Sequence, residues 1–415
     1  MDDSTRIPSL VGYLAQIPEY RAARGRRHPL LALLLLVSVA TPSGARSQTA
    51  IAAWGRDRGQ PWLQRLGCTR DRAPRQPTRG RLFGRIAHKT VAAAVRQWAE
   101  QALRLCAPAA GALEGVALDG KTLRGSKRRG AADAHLLAAF SHRPGVVLGQ
   151  RGVPDKTNAI GAADELLLAV ALEGRVVTAD ALLTQRAVAR AIRASGGDYL
   201  LAVKANQPAL LADVAASFAP GADDTGLVGV VCTATRHGGR IEQRRLTASV
   251  ALVGYSDWPG LRQALRLERR VLDKRTGALR RQETAYAVTS LAPARATPAQ
   301  LLALWRGHWS VENQLHSIRD VAFDEDRSPA RAGHAPQAMA AFRNAAIGLI
   351  HALGTTRVTA TCRRFAAQPR AALAAVGLVP QLELDPAIAP PPRSRVGSPR
   401  RATSPARNPP PRVRP

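Results

Sequence analysis

The pattern of apolar and polar positions divides the chain into stretches of different period. Up to about residue 110 the spacing is helical. Leu10, Tyr13, Leu14 and Ile17 form a short stripe that Pro18 ends. Pro29 to Ala40 (PLLALLLLVSVA) is apolar on every face, which predicts a fully buried helix. Ser47 to Gly55 predicts another helix, and the polar, basic stretch Thr69 to Arg81 predicts a loop. Thr90 to Leu105 returns to helical spacing through Val91, Val95, Trp98, Ala99 and Leu103.

From Gly115 the period shortens. GVALDG is an apolar strand ending in Asp119, and HLLAAFSH (135–142) and GVVLGQRGV (145–153) predict an antiparallel hairpin around RPG. Asn158 to Leu172 predicts a helix, and RVVTAD (175–180) a buried strand ending in Asp180. Thr184 to Ala194 predicts a helix stopped by Gly196 and Gly197, and DYLLAVK (198–204) a buried strand before the turn-like ANQP. Between about 208 and 297 this order is interrupted: RIEQRRLTASVAL, LRLERRVLDK and ETAYAVTSL alternate like strands of a separate sheet. Ala335 to Leu353 and Thr361 to Val376 predict two closing helices. The Pro- and Arg-rich tail, 381–415, buries no core and is expected to be disordered.

One segment, Trp305 to Asp326 (WRGHWSVENQLHSIRDVAFDED), fits neither a core helix nor a surface helix. On a regular helix Trp305, His308, Trp309, Glu312, Leu315, His316 and Arg319 share one face, mixing aromatics with a carboxylate, two imidazoles and a guanidinium. Such a face suits a site that handles metal-bound phosphate. It equally suits a half-buried helix whose Glu312 is neutralised by Arg319 or His308.

Charge narrows the partners. Lys plus Arg number 60 against 30 Asp plus Glu, a net +30, of which the tail from Pro386 carries +7. A G- and C-rich genome explains Arg in place of Lys but not the scarcity of acids, and such a field favours nucleic acid. The four cysteines form no CxxC pair, which argues against a zinc site or a disulfide scaffold. The longest apolar run is too short to span a bilayer, so the expectation is a cytoplasmic protein acting at the nucleoid, with no membrane partner.

The order of elements supplies the chemistry. If the first strand lies beside the fourth in parallel, Asp119 and Asp180 emerge together at the sheet edge where α/β proteins place their sites. A helix crossing that edge adds Glu312. Three carboxylates without Cys or a committed His make an oxygen-only site suited to Mg²⁺ or Mn²⁺. Two such ions about 4 Å apart would serve phosphodiester chemistry.

GVALDGKTLRGS, HLLAAFSHRPGVVLGQ, VVTADALLTQRAVARAI, GGDYLLAVKANQP and RGHWSVENQLHSIRDVAFDEDRS resemble the signature blocks of bacterial insertion-sequence DDE transposases, in particular the H-repeat-associated (ISAs-type) family. RRHPLLALLLL and GARS (44–47) resemble that family's N-terminal associated domain, and HGGRIEQRRL, SDWPGL and ETAYAVTSL the insert before its last acid. The blocks run in the family's order from about residue 10 to 380. The segment 69–90 and the tail depart from it.

The resemblance implies an α/β fold: an RNase H-like mixed-sheet catalytic core over 111–380 with a β-rich insertion at about 208–297. A helical N-terminal domain, 1–110, would precede it and bind DNA ends. It implies Asp119, Asp180 and Glu312 as a triad holding two Mg²⁺ or Mn²⁺ ions. The wider group's Tyr–Arg–Glu–Lys pattern falls on Trp305, His308, Glu312 and Arg319, so a Trp stands where that pattern has Tyr. His308 and Arg319 would face the scissile phosphate. Arg124, Lys204, Asn206 and Gln207 would hold the DNA backbone, and Arg26 and Arg27 the element ends. The implied activity is cutting of terminal inverted repeats and joining to target DNA, by a homodimer or larger assembly on double-stranded DNA. An RNase H-like endonuclease without strand transfer and a catalytically decayed DNA-binding remnant are the alternatives.

Overall fold

The computed structural model describes residues 7–23, 26–70, 72–74, 76–106, 112–127, 134–153, 159–219 and 226–379. The expected disordered tail lies outside them. Among the described residues the chain opens with six helices: α1 (Leu10–Ala15), α2 (Leu30–Ala40), α3 (Gln48–Arg58), α4 (Gln60–Arg65), α5 (Gln76–Arg85) and α6 (His88–Leu105). α2 is buried at every position but Leu31, as its unbroken apolar run requires. The stretch expected to be a loop before Arg81 is helical in its second half, because Leu82, Phe83 and Ile86 of the α5 turn and its C-terminal end reach the core. Among the described residues no helix is long and apolar enough to cross a membrane.

The centre is a nine-stranded sheet of order β3-β2-β1-β4-β5-β9-β8-β7-β6. Its first five strands are β1 (Glu114–Leu123), β2 (Ala134–Ser141), β3 (Val147–Val153), β4 (Arg175–Ala179) and β5 (Asp198–Val203). β1, β2 and β3 pair antiparallel, while β4 and β5 run parallel to β1. That order and direction make the core RNase H-like. α7 (Ala159–Ala169) and α8 (Arg186–Ala194) supply the crossovers that parallel pairing demands. α9 (Pro208–Ala216) leads into the insertion.

The insertion strands β6 (Leu227–His237), β7 (Arg240–Ser249), β8 (Gln263–Asp273) and β9 (Leu279–Thr289) do not form the separate sheet expected from their alternation. β9 pairs antiparallel with β5, from Leu200 opposite Thr289 to Val203 opposite Tyr286, and so extends the central sheet. The reason is burial: the inner ends of these strands place Leu246, Ala248, Leu265 and Ala287 in one apolar cluster with Val176 and Leu200. α10 (Pro298–Gly307) covers that cluster with Leu301, Leu302 and Leu304, and Trp305 packs against it. The opposite face of the sheet is covered by α6, α7 and α12 (Ala335–Ala352), with Val177 and Leu201 pointing that way. α13 (Val358–Ala367) and α14 (Pro369–Val376) replace the single last helix, because Pro369 cannot continue the turn after Gln368.

α11 (Ser317–Val321) and the turn after it are tied to α12 by a buried ion triad. Glu325 accepts from Arg319 Nε at 2.7 Å and from Arg343 Nη1 at 2.8 Å, and all three side chains are at most 2 % exposed. Burial alone would raise the Glu325 carboxyl; the two arginines outweigh it and hold it below its ordinary value of 4.5. Stability from a depressed carboxyl is present above its ordinary value and is lost as pH falls through its folded one. Glu325→Gln should therefore cost about 3–5 kcal/mol of unfolding free energy at pH 7, because two buried cations lose their partner. Denaturant unfolding as a function of pH checks this: the gap between wild type and variant should narrow on acidification below the ordinary carboxylate range.

Candidate active site

Parallel pairing sets Leu118 opposite Ala179, so the next residues, Asp119 and Asp180, come side by side where β4 ends. β1 does not end at Asp119 as expected but runs on to Leu123, with Asp119 opposite Ala138 of β2. Each carboxylate is fixed by a backbone donor: Asp119 Oδ1 accepts from Gly120 N at 2.8 Å, and Asp180 Oδ1 from Leu182 N at 3.1 Å. Asp180 thereby caps the short 3₁₀ turn Ala181–Leu183. Burial is the main cause that pushes the Asp119 carboxyl up to about 6; the Gly120 N–H opposes it, and the charges of Asp180 and Glu312 add to the rise. Three carboxylates thus share one electrostatic environment, and a bound cation would relieve their repulsion.

Glu312 does not stand on the regular helix expected for 305–319. α10 ends at Gly307, and Glu312–His316 is a π turn that runs into α11. The extra residue of a π turn breaks the three-and-four spacing. The expected common face is accordingly split: Trp305 packs into the α10 cluster, Trp309 is 65 % exposed, and Arg319 is buried. What the π turn does bring together is Glu312 and His316. His316 Nδ1 lies 3.4 Å from Glu312 Oε2 and 3.5 Å from Asp119 Oδ2, with its side chain 4 % exposed. The ligand atoms of Asp119, Glu312 and His316 all lie within 4.8 Å of one another. Burial first, then Arg319 and Lys121, pushes His316 down to about 3. The ring is neutral, so these contacts are polar approaches and not ion pairs. An imidazole nitrogen thus stands beside two of the three carboxylates expected to form an oxygen-only site.

Asp180 has a different neighbour. His308 Nδ1 is 3.2 Å from Thr178 Oγ1, and the same hydroxyl is 3.1 Å from His142 Nε2. The His142 ring fills the space left by two glycines, since a Cβ on Gly115 or on Gly307 would overlap it. Burial, with help from His308 and Arg143, pushes His142 down to about 3. His308 is also lowered, by burial, with the Asp180 charge acting against the shift. This chain of neutral polar groups supports the start of the Asp180 turn from behind.

Two braces hold the loops. Lys121, two residues beyond Asp119, donates to Asp320 Oδ2 at 2.6 Å and ties α11 to β1. Asn206 Nδ2 donates to Ala181 O at 2.6 Å, and Gln207 Nε2 to Thr184 O and Gln185 Oε1, each at 3.0 Å.

The residues expected on DNA therefore divide. Arg319 is corrected: with its side chain 1 % exposed and paired with Glu325, it reaches no phosphate. Asn206 and Gln207 commit their amide donors to the loop after Asp180. Lys204 is exposed at the end of β5, and Arg124 is 77 % exposed with only a loose approach to Asp326 at 3.9 Å. Arg26 and Arg27 are exposed on the stretch between α1 and α2, where Arg26 Nε donates to Arg21 O. Sequence reasoning missed Lys121, Thr178 and His142. His316 was on the expected face but had no role; its spacing of four from Glu312 was the available signal.

An RNase H-like sheet with one acid on β1, a second just past β4 and a third on a later helical segment fits the class of DDE-type nucleic-acid enzymes. Residues 111–349 match the family described as Transposase DDE domain, and residues 11–99 the one described as DDE_Tnp_1-associated. The chain belongs to the DDE transposase family. It is 30 % identical to YncI of Escherichia coli O157:H7 over 83 % of this chain and 87 % of that protein. It is 29 % identical to the H repeat-associated protein YhhI of Escherichia coli K12 over 83 % and 90 %. Both are named as candidate transposases. The associated-domain match spans 69–90, the stretch that departed from the expected pattern. A piggyBac transposase synaptic complex with hairpin DNA superposes with a TM-score of 0.35 at 11 % identity, covering 88 % of this chain and 73 % of that one. That likeness is too slight to bear on fold or function.

The glycine cradle is testable. Gly307→Ala improves helix propensity, yet it should destabilise the protein by about 1–3 kcal/mol by displacing the His142 ring. In a His142→Ala background the same substitution should be neutral or stabilising. A double-mutant cycle on unfolding free energies measures the coupling, and additive effects would rule out the cradle.

Proposed function

We propose that this chain is an active DNA transposase that cuts at the ends of its own element and joins them to target DNA by direct transesterification. The observation that supports this most is the convergence of Asp119, Asp180 and Glu312 at one sheet edge, felt in the raised Asp119 carboxyl. Acidic oxygens backed by neutral imidazoles fit divalent cations. Held by the three carboxylates, two Mg²⁺ or Mn²⁺ ions would make an attacking hydroxyl more acidic and steady the leaving oxygen.

The protein's own part is placement. Asp119 and Asp180 are fixed by the backbone amides of Gly120 and Leu182, so neither carboxylate has to reorganise when substrate arrives. In the first step water bonds to phosphorus as the bridging P–O bond breaks, which frees a 3′ hydroxyl at the element end. In the second, that hydroxyl bonds to a target phosphorus and a target 3′ oxygen leaves. Arg124 and Lys204, exposed at the ends of β1 and β5, are the cations proposed to hold the DNA backbone beside the site. His308 takes a supporting role behind Asp180. Arg26 and Arg27 are assigned to phosphates of the terminal inverted repeats. Joining two ends calls for at least a dimer on DNA.

The test is excision in cells, with the DNA flanking the gene as element ends and wild type beside Asp119→Asn. Wild type should excise; the variant should lose excision and keep end binding, since one carboxylate has gone and no phosphate contact has. Purified protein that binds the ends, with no metal-dependent cleavage in wild type, would mark a decayed DNA-binding remnant instead. Cleavage without joining would mark an endonuclease.

A further inference from the structure

The acidic edge contains one group that the three-carboxylate scheme leaves without work. His316 is 3 % exposed overall, and its Nε2 is buried with no hydrogen-bond partner. Its Nδ1 points at Asp119 Oδ2 and Glu312 Oε2 at 3.5 and 3.4 Å. Those separations are long for hydrogen bonds between an imidazole and a carboxylate. Donor atoms roughly 3–3.5 Å apart are what metal–ligand bonds of about 2.1 Å produce at adjacent positions of a coordination sphere. The placement is also built in. The π turn puts positions 312 and 316 on one side, and Lys121–Asp320 and Arg319–Glu325 hold the following turn, so the imidazole has little freedom to turn elsewhere.

We propose that His316 Nδ1 is a direct ligand of the cation shared by Asp119 and Glu312, making that half of the site a two-carboxylate, one-imidazole centre. This rests on the reading of Asp119 and Glu312 as metal ligands and deepens it. The centre differs from an all-oxygen one in its preference. Imidazole suits transition ions, whereas Mg²⁺ favours oxygen donors and retained water, so the centre takes Mn²⁺ in preference to Mg²⁺. Asp180 is not part of this cluster.

The experiment is electron spin-echo spectroscopy of the full-length protein titrated with Mn²⁺ alone, with folding of each variant checked by circular dichroism. Wild type should show nitrogen coupling to bound Mn²⁺. The coupling should vanish in His316→Gln and persist in His308→Gln, and Mn²⁺ affinity in His316→Gln should fall at least about tenfold. Mn²⁺ binding that Asp119→Asn abolishes but that shows no nitrogen coupling in wild type would overturn the His316 assignment and leave the carboxylate site standing. Binding indifferent to Asp119→Asn would overturn both. Should His316→Gln fail to fold, the other imidazole beside the acids decides: coupling kept in His308→Gln supports the proposal, and coupling lost there overturns it.

Discussion

The position of Glu312 depends on an ion triad it never touches. Its own side chain is about half exposed and gains no fixed geometry from packing, so the backbone must place it. That backbone is a π turn between α10, anchored in the apolar cluster over β4 and β5, and the 317–328 segment. Glu325 anchors the second end by joining Arg319 of that segment to Arg343 in the buried middle of α12. A buried ion group of this kind contributes little net stability over apolar packing, but breaking it is costly, so it acts as a latch more than as glue. The latch is seated by contact with β1. Gly125 lies so close to this turn that a Cβ there would come within 2.7 Å of Ser328 O and 2.9 Å of Glu325 O. The turn that follows β1 and the turn that follows α11 therefore fit against each other and help to set the distance between two of the three acids.

This explains which parts of the site could be read from the sequence. Asp119 and Asp180 were legible because each ends a short apolar run, and the order of runs predicted a parallel β1–β4 pair. Alternation identified three insertion strands but not their partner, since a period of two says nothing about which edge a strand joins. Only the burial of Ala287 and Val288 beside Leu200 and Leu201 selects the edge of β5. β6 escaped notice because LVGVVCTATRH alternates weakly. For 305–319 the failure has a sharper cause. Helical wheels assume one period throughout, and the π turn changes it in mid-segment, so Arg319 rotates from the expected site face into the core. An arginine destined for Glu325 and one destined for phosphate look alike in a sequence.

The basic charge also acquires structure. Along the outer halves of β6 to β9, Glu242 is held by Arg244 and Arg269, Glu283 by Arg269 and Arg281, and Asp273 by Arg280. Arginines outnumber acids there, and neighbouring strands set Arg244 directly opposite Arg269 and Arg245 opposite Glu268. Like charges across a ladder cost stability, and the interposed glutamates offset that cost at close range while leaving the far field positive. The same sheet thus holds a negative notch where β4 ends beside Asp119 of β1 and a positive extension beyond β9. A polyanion drawn by the extension would meet the notch only where a cation bridges phosphate and carboxylate.

The imidazoles around the notch fit that division. His142, His308 and His316 are all held towards the neutral form, with burial the largest cause in each. Had they been protonated, they would cancel the carboxylates in place, as Arg319 and Arg343 cancel Glu325. Neutral rings leave the neighbouring carboxylates undischarged. Two acidic residues thirteen positions apart in the chain are therefore placed differently: Glu325 is buried and paired with two arginines, and Glu312 is half exposed beside Asp119 and a neutral imidazole.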